Sequence, residues 1–205
     1  DIAPPAAAPF QVVLVCTGNR SRSPLLEHFL RDPLQGRSVQ IRSVGTKDVG
    51  PRPALVESIA AGASLGVDLS DHVSQPIGWR GLRDADLVIG FERMHVERAV
   101  RDGAAVPERC FMLVELVTIL ERIDPAVERG AADTARALVA RAHKERGLLT
   151  PEEASQEVPD PLGEPEELHR EVARTLAGLG RRLALALFGP PPLPPENVTG
   201  ADATR

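Results

Sequence analysis

One short segment constrains the fold more than any other part of the chain. Four consecutive apolar residues, 12–15, end at Cys16 and are typical of a buried strand of a parallel sheet. A short polar loop follows, and Ser23-Pro24 then predicts a helix start, with Ser23 as the N-cap and Pro24 in the first helical position. The segment therefore predicts a strand, a loop and a helix in succession, with a cysteine at the carboxyl end of the strand.

The chemistry of this loop favours an anion. Backbone N–H groups and the helix dipole attract negative charge, and Arg22 can bind phosphate oxygens through paired hydrogen bonds. The same field favours a thiolate at Cys16, and Ser23 can donate a hydrogen bond to the sulfur. A lone cysteine after an apolar strand is usually a small core residue. The placement of Cys16 between a strand and a helix start is what favours a phosphate site with a nucleophile at its base.

The sequence CTGNRSRSP at 16–24 resembles the signature loop of the low-molecular-weight protein tyrosine phosphatases. Further motifs follow in the order of that family: 43–46 resembles its Ser-Ala-Gly-Thr, 86–89 resembles its third strand, and Asp160-Pro161 resembles its Asp-Pro pair. The resemblance covers roughly residues 10–188. It implies hydrolysis of phosphomonoesters through a phosphocysteine, with no metal and no other cofactor.

The resemblance also implies a role for each matched residue. Cys16 is expected to attack phosphorus, Arg22 to bind the phosphoryl oxygens, and Asp160 to act as the general acid. Asn19 is expected to hold the loop in shape, and His72 to be structural. The residues expected to bind the substrate are Thr17, Gly18, Asn19, Arg20, Ser21 and Ser23.

Three departures from the family pattern concern the substrate and oxidation. The family places aromatic rings where this chain has residues 47–49 and 162–163, and the chain contains no tyrosine at all. Arg20 stands where the family usually has Ile or Thr, which favours additional negative charge on the substrate. Ser21 replaces a second loop cysteine, so a protective disulfide cannot form inside this loop.

The remaining pattern predicts an α/β fold: a single-domain doubly wound four-stranded parallel sheet with flanking helices. Further strands are predicted at 39–44, 87–91 and 109–113, and the clearest helix at 166–188, while His95 is expected to face solvent. The domain is predicted to span 10–189, between a flexible lead at 1–9 and a Pro-rich disordered tail at 190–205. A helical insertion at about 124–155 is expected near the loop of Asp160, either as a solvated helix or as a lid or dimer surface.

Composition excludes several function classes. The net charge of −5 and pI of about 5.6 argue against nucleic-acid binding. No apolar run approaches the roughly 20 residues of a membrane span, and no signal pattern is visible. Two cysteines are too few for a disulfide framework. The sequence therefore predicts a cytoplasmic protein without nucleic-acid or membrane partners, and it leaves the oligomeric state open.

The sequence leaves several functions open. The leading hypothesis is a protein tyrosine phosphatase acting on a phosphorylated protein. A phosphatase for a small phosphorylated metabolite is the main alternative, because of Arg20 and the missing rings. Arsenate reduction is less favoured, since it needs relay cysteines and only Cys110 remains. A non-catalytic phosphate-binding regulatory module is the hypothesis from another class.

Overall fold

The computed structural model describes residues 8–79 and 81–191 and contains a parallel four-stranded sheet in the order β2-β1-β3-β4. The strands are β1 Phe10–Cys16, β2 Val39–Gly45, β3 Leu87–Gly90 and β4 Cys110–Met112. β1 pairs with β2 along its whole length, from Phe10 opposite Val39 to Cys16 opposite Gly45, and with β3 on its other side. The predicted doubly wound parallel sheet is confirmed. Its strand order reverses beside β1, and ligands of such sheets bind outside the carboxyl ends of the strands at this point.

In the part of the chain that the structure describes, six α-helices surround the sheet: α1 Arg22–Arg31, α2 Val56–Ala63, α3 Arg93–Gly103, α4 Leu113–Arg122, α5 Ala132–Glu145 and α6 Glu166–Phe188. Alternation along β1 divides the core, because successive side chains point to opposite faces. Val12, Leu14 and Cys16 share one face with the apolar residues of α1, α4 and α6. Val13 and Val15 pack on the other face with residues of α3.

Helix α6 is the longest element and matches the predicted bounds of 166–188. Its buried residues recur at three- and four-residue spacing, including Val172, Leu176, Leu179 and Leu183. This apolar stripe packs against α1, α2 and α4. Helix α6 therefore supports α1, whose first turn forms part of the loop after Cys16.

Helix α5 lies within residues 124–155, the segment predicted as a helical insertion. Helix α5 packs against α4 and the start of β1, and Arg136 bonds both carboxylate oxygens of Asp86, just before β3, at 2.9 and 3.1 Å. This is the amino-terminal edge of the sheet, opposite the cysteine. Leu138 and Val139 are buried in the main core, so α5 contributes its apolar face to that core. Residues 151–152 form a turn, which is followed by a short 3₁₀ helix at Glu153–Ser155.

The predicted lead at 1–9 and tail at 190–205 fall mostly outside the described residues. Within the described part of the chain, no helix is long and apolar enough to cross a membrane.

Candidate active site

The loop after β1, called here the cysteine loop, comprises residues 16–22 and turns its carbonyl groups outward. The donor–acceptor pairs are Thr46 N with Cys16 O at 2.8 Å, Lys47 N with Thr17 O at 2.9 Å, His72 Nε2 with Asn19 O at 2.6 Å, Leu55 N with Arg20 O at 2.8 Å, and Leu25 N with Ser21 O at 3.0 Å. In a trans peptide the N–H points opposite to the preceding carbonyl. The N–H groups that follow these carbonyls therefore face the hollow of the loop, which makes it an anion-binding concavity.

Asn19 holds the cysteine loop from behind. It is fully buried and adopts a left-handed backbone conformation with φ of 52°, which Asn tolerates better than most residues. Its side-chain amide donates to Ser43 Oγ at 2.9 Å, and its Oδ1 accepts from Gln75 N at 2.9 Å. His72 bonds its carbonyl, in agreement with the predicted structural role of that histidine. The loop is thereby tied to β2 and to the segment after α2.

Gly45, at the end of β2, lies directly against the cysteine loop. A Cβ atom built at this position would stand 2.9 Å from Thr17 O and 3.0 Å from Asn19 N. Both of these atoms belong to the backbone, so they have little freedom to move aside. A glycine is therefore required here for the close approach of the two segments.

Ser23 forms a hydrogen bond with the cysteine, Sγ to Oγ, at 2.9 Å. Because Ser23 Oγ accepts the Asn19 amide at 3.0 Å, its own hydrogen is available to the sulfur. The start of α1 differs from the prediction: the helix begins at Arg22 with Ser21 at the N-cap position. The side chain of Ser23 points to the sulfur rather than capping the helix, and Pro24 is tolerated because it lies in the first turn.

Arg22 is 1% exposed and connects three distant segments. Its Nη1 donates to the carbonyl of Val158 at 2.9 Å and to the carboxylate of Glu92, while its Nη2 lies 2.7 Å from Asp160 Oδ2. These bonds fix the plane of the guanidinium at the rim of the cysteine loop. The segment that contains Asp160, residues 158–163, is called here the acid loop.

The acid loop is ordered by short-range contacts as well. Asp160 Oδ1 accepts the N–H of Leu162 at 3.1 Å, which is the geometry of an Asx turn. Val158 N donates to Phe91 O at 2.9 Å and anchors the loop beside the end of β3. Asp160 keeps about a third of its side chain exposed, at 35%, so the carboxyl group remains accessible above the cysteine loop.

Cys16, Arg22 and Asp160 meet at one cavity of about 150 Å³. The predicted binding residues divide into two groups. The first group lines the cavity and comprises Thr17, Gly18, Arg20 and Ser21. The second group, Asn19 and Ser23, is buried on the side of the loop that faces away from the cavity. The other lining residues are Lys47, Val49, Leu55 and Leu162.

His95 is the main residue that sequence reasoning misjudged, because it is fully buried and not solvent-facing. Its Nδ1 accepts the N–H groups of Phe91 and Glu92 at 3.2 and 3.1 Å, which caps the start of α3. Its Nε2 must then carry the hydrogen, and it donates to Thr17 Oγ1 at 3.0 Å. Glu92, three residues earlier, bonds Arg22. The spacing Glu-x-x-His after an apolar strand is the signal that could have indicated both residues.

Burial, with the charge of Arg22 as a smaller cause, lowers the pKa of His95 from 6.5 to about 3. The unfolded chain therefore binds a proton below pH 6.5 that the folded chain does not bind. The free energy of unfolding should fall as the pH drops from 6.5 towards 3, by up to about 1.4 kcal/mol per pH unit from this group. His95→Gln keeps a neutral capping side chain, so its unfolding free energy should fall less steeply.

Urea unfolding of both proteins at pH 7, 6 and 5 measures this difference in slope. His143→Gln, on α5, is the matched histidine control and should follow the wild type. Parallel curves for the wild type and His95→Gln would contradict the prediction.

Comparisons with known proteins find relatives in sequence and in fold. The model of the family described as low molecular weight phosphotyrosine protein phosphatase matches residues 11–128. The Escherichia coli K12 low molecular weight protein-tyrosine-phosphatase Etp is 28% identical over 114 residues, or 56% of this chain and 76% of the relative. The protein-arginine-phosphatase of Bacillus subtilis is 28% identical over 109 residues, or 52% and 72%.

A solved structure agrees in fold over a longer stretch. The low molecular weight protein tyrosine phosphatase from T. tengcongensis superposes with a TM-score of 0.64 over 87% of this chain and 99% of that one. The sequence identity is 24%. The shared fold therefore extends over more of the chain than residues 11–128, which the family model matches.

Proposed function

We propose that this chain, which belongs to the low molecular weight phosphotyrosine protein phosphatase family, hydrolyses phosphomonoesters through a phosphocysteine at Cys16. The observation that supports this most strongly is the convergence of a cysteine, an arginine and an aspartate on one cavity. They come from two segments far apart in sequence, and Asp160 Oδ2 lies 2.7 Å from Arg22 Nη2.

In the first step Cys16 Sγ attacks phosphorus, an S–P bond forms, and the bond from phosphorus to the ester oxygen breaks. Asp160 gives its proton to the departing oxygen. Arg22 and the inward N–H groups of the cysteine loop bind the equatorial phosphoryl oxygens, where charge is spread in the transition state.

In the second step water attacks the phosphocysteine and releases inorganic phosphate. Asp160, now ionised, takes a proton from the water. The sulfur departs as a thiolate, which the Ser23 hydroxyl stabilises through its hydrogen bond. Each step uses groups of this chain and water.

For the substrate we propose a phosphorylated protein, with phosphotyrosine as the family default. Etp is named a tyrosine phosphatase and the Bacillus subtilis relative an arginine phosphatase, so the family covers more than one phosphorylated group. A small phosphorylated metabolite is the second candidate. The lining of the cavity favours it, because Arg20 and Lys47 are cationic and none of the described lining side chains is aromatic.

Two further hypotheses are less well supported by the site. A relay for arsenate reduction needs accessible cysteines, whereas Cys110 is 1% exposed and is the first residue of the buried strand β4. A non-catalytic binding module would have no use for an acid placed above the cysteine. For the same protein we propose a cytoplasmic location.

Asp160→Asn tests the two-step scheme. With p-nitrophenyl phosphate the departing oxygen needs little protonation, so the first step should persist while the second slows. We expect steady-state turnover to fall about 100-fold, after a burst of one p-nitrophenolate per enzyme. With phenyl phosphate, a poorer leaving group, the burst should disappear because the first step then also needs the proton.

Stopped-flow absorbance measures the burst, and mass spectrometry of acid-quenched protein locates the phosphoryl group. Asp84→Asn, an exposed position before β3, is the matched control and should behave as the wild type. Unchanged turnover in Asp160→Asn, or a phosphoryl group on any residue other than Cys16, would overturn the proposal.

A further inference from the structure

We propose that the substrate carries a second anionic group, which Arg20 and Lys47 bind at the mouth of the cavity. This inference rests on the proposed phosphatase function and deepens it by naming the substrate class. The class is a phosphomonoester with a carboxylate or second phosphate within reach of the mouth.

The two cations at the mouth of the cavity are Arg20 and Lys47. Arg20 Nε donates to the carbonyl of Pro53 at 2.7 Å, which fixes the position of the guanidinium and leaves its terminal N–H groups for another acceptor. Within residues 8–79 and 81–191, neither Arg20 nor Lys47 forms an ion pair with a carboxylate. By contrast, Arg22, Arg136 and Arg182 each bond an acid. The mouth therefore presents positive charge that the surrounding protein does not neutralise.

The nearby acids are engaged elsewhere. Asp160 is the one acidic residue of the described cavity lining, and its Oδ2 is bonded to Arg22. Asp48, next to Lys47, accepts the N–H of Gly50 through Oδ1 at 2.9 Å, in a turn of its own segment. An anion on the substrate would be the natural partner for the two cations, because opposite charges at a cleft attract and steer a ligand.

The walls of the mouth include apolar side chains beside the two cations. Val49, Leu55 and Leu162 are aliphatic, so an aryl group finds apolar contact but no ring to stack on. Discrimination between substrates must then come mainly from charge. Arg20 and Lys47 would repel a substrate with a guanidinium beside its phosphoryl group. They would attract a substrate with a carboxylate in that place.

The test compares substrates that share one leaving group and differ by one charge. N-acetyl-phosphotyrosine has a free carboxylate, and its amide does not. At low ionic strength we expect kcat/KM to be roughly three- to tenfold higher for the carboxylate, since partly exposed ion pairs are individually weak. The ratio of kcat/KM for the carboxylate to kcat/KM for the amide should fall towards one in Arg20→Gln and Lys47→Gln. It should also fall towards one in the wild type at high salt.

Arg83→Gln is the matched control, because Arg83 is an exposed residue before β3, at the opposite edge of the sheet. It changes the net charge equally and should retain the wild-type ratio. A second pair of substrates consists of two phosphotyrosyl peptides, one with Glu and one with Gln beside the phosphotyrosine. This pair shows whether the anion comes from a protein substrate. Preference confined to the peptide pair supports an acidic protein substrate, and preference in the small pair supports a small dianionic ester.

A ratio near one in both pairs, or a ratio that Arg20→Gln and Lys47→Gln leave unchanged, would overturn the inference. Failure of the proposed function looks different. In that case neither member of either pair would be hydrolysed, or hydrolysis would persist in Cys16→Ser.

Discussion

Replacing Cys16 with serine is expected to abolish hydrolysis of p-nitrophenyl phosphate while leaving the fold intact. A hydroxyl is far less ionised than a thiol at neutral pH and a much weaker nucleophile, so kcat should fall by at least about 10⁴-fold. The serine hydroxyl can keep the hydrogen bond to Ser23. The free energy of unfolding should therefore change by about 1 kcal/mol or less. Phosphate release and urea unfolding of both proteins, measured side by side, test the two parts.

Cys110→Ser supplies the matched control. Burial raises the pKa of the Cys110 thiol to about 11, so it stays protonated at neutral pH and is a poor nucleophile. Its Sγ donates to Val106 O at 3.2 Å, a bond that a serine hydroxyl can replace. Cys110→Ser should retain turnover. Turnover that persists in Cys16→Ser and is lost in Cys110→Ser would move the nucleophile to the wrong cysteine and refute the scheme.

The parts of the site that could be predicted from the sequence are those encoded over a short stretch. The strand, the cysteine loop and the helix after it follow one another without a gap, so each local preference supports the next. Helix α6 could be predicted equally well, because its apolar residues recur at helical spacing up to Phe188. Gly189, with a φ of 71°, then ends the helix. Asp160 was identified only through the resemblance to a family, since an Asp-Pro pair by itself is typical of a turn.

The parts that could not be predicted depend on contacts between distant segments. The carbonyl of Val158 accepts a hydrogen bond from Arg22, which lies 136 residues away in the sequence. No periodicity of the sequence indicates such a pair. His95 lies on a largely polar helix, which favours an exposed position, yet its ring is buried because it caps α3 and contacts Thr17. The position of α5 at the amino-terminal edge of the sheet could not be predicted for the same reason. The sequence indicated the apolar face of α5. It did not indicate that Arg136 would bond the Asp86 carboxylate at the far edge of the sheet.

Arg22→Lys should show how much catalysis depends on the planar arginine. A lysine retains the charge but offers a single point donor, so it cannot bind Val158, Glu92 and two phosphoryl oxygens in one plane. We expect kcat/KM to fall about 10³-fold, the scale of losing an oriented donor to developing charge. The carboxylate of Glu92, only 20% exposed, would lose its partner, so the free energy of unfolding should also drop by about 1–3 kcal/mol.

The loss of kcat/KM and the loss of unfolding free energy can be measured separately, because they depend on different partners of the guanidinium. The variant Arg22→Lys/Glu92→Gln removes the unpaired carboxylate, so part of the stability should return while kcat/KM stays low. Arg170→Lys, at an exposed ion pair on α6, is the matched arginine control and should leave both quantities near the wild type. If the double variant regained turnover along with stability, Arg22 would act by holding the acid loop in place. If turnover stays low at restored stability, the phosphoryl group itself needs the two-donor geometry, which an ammonium cannot supply.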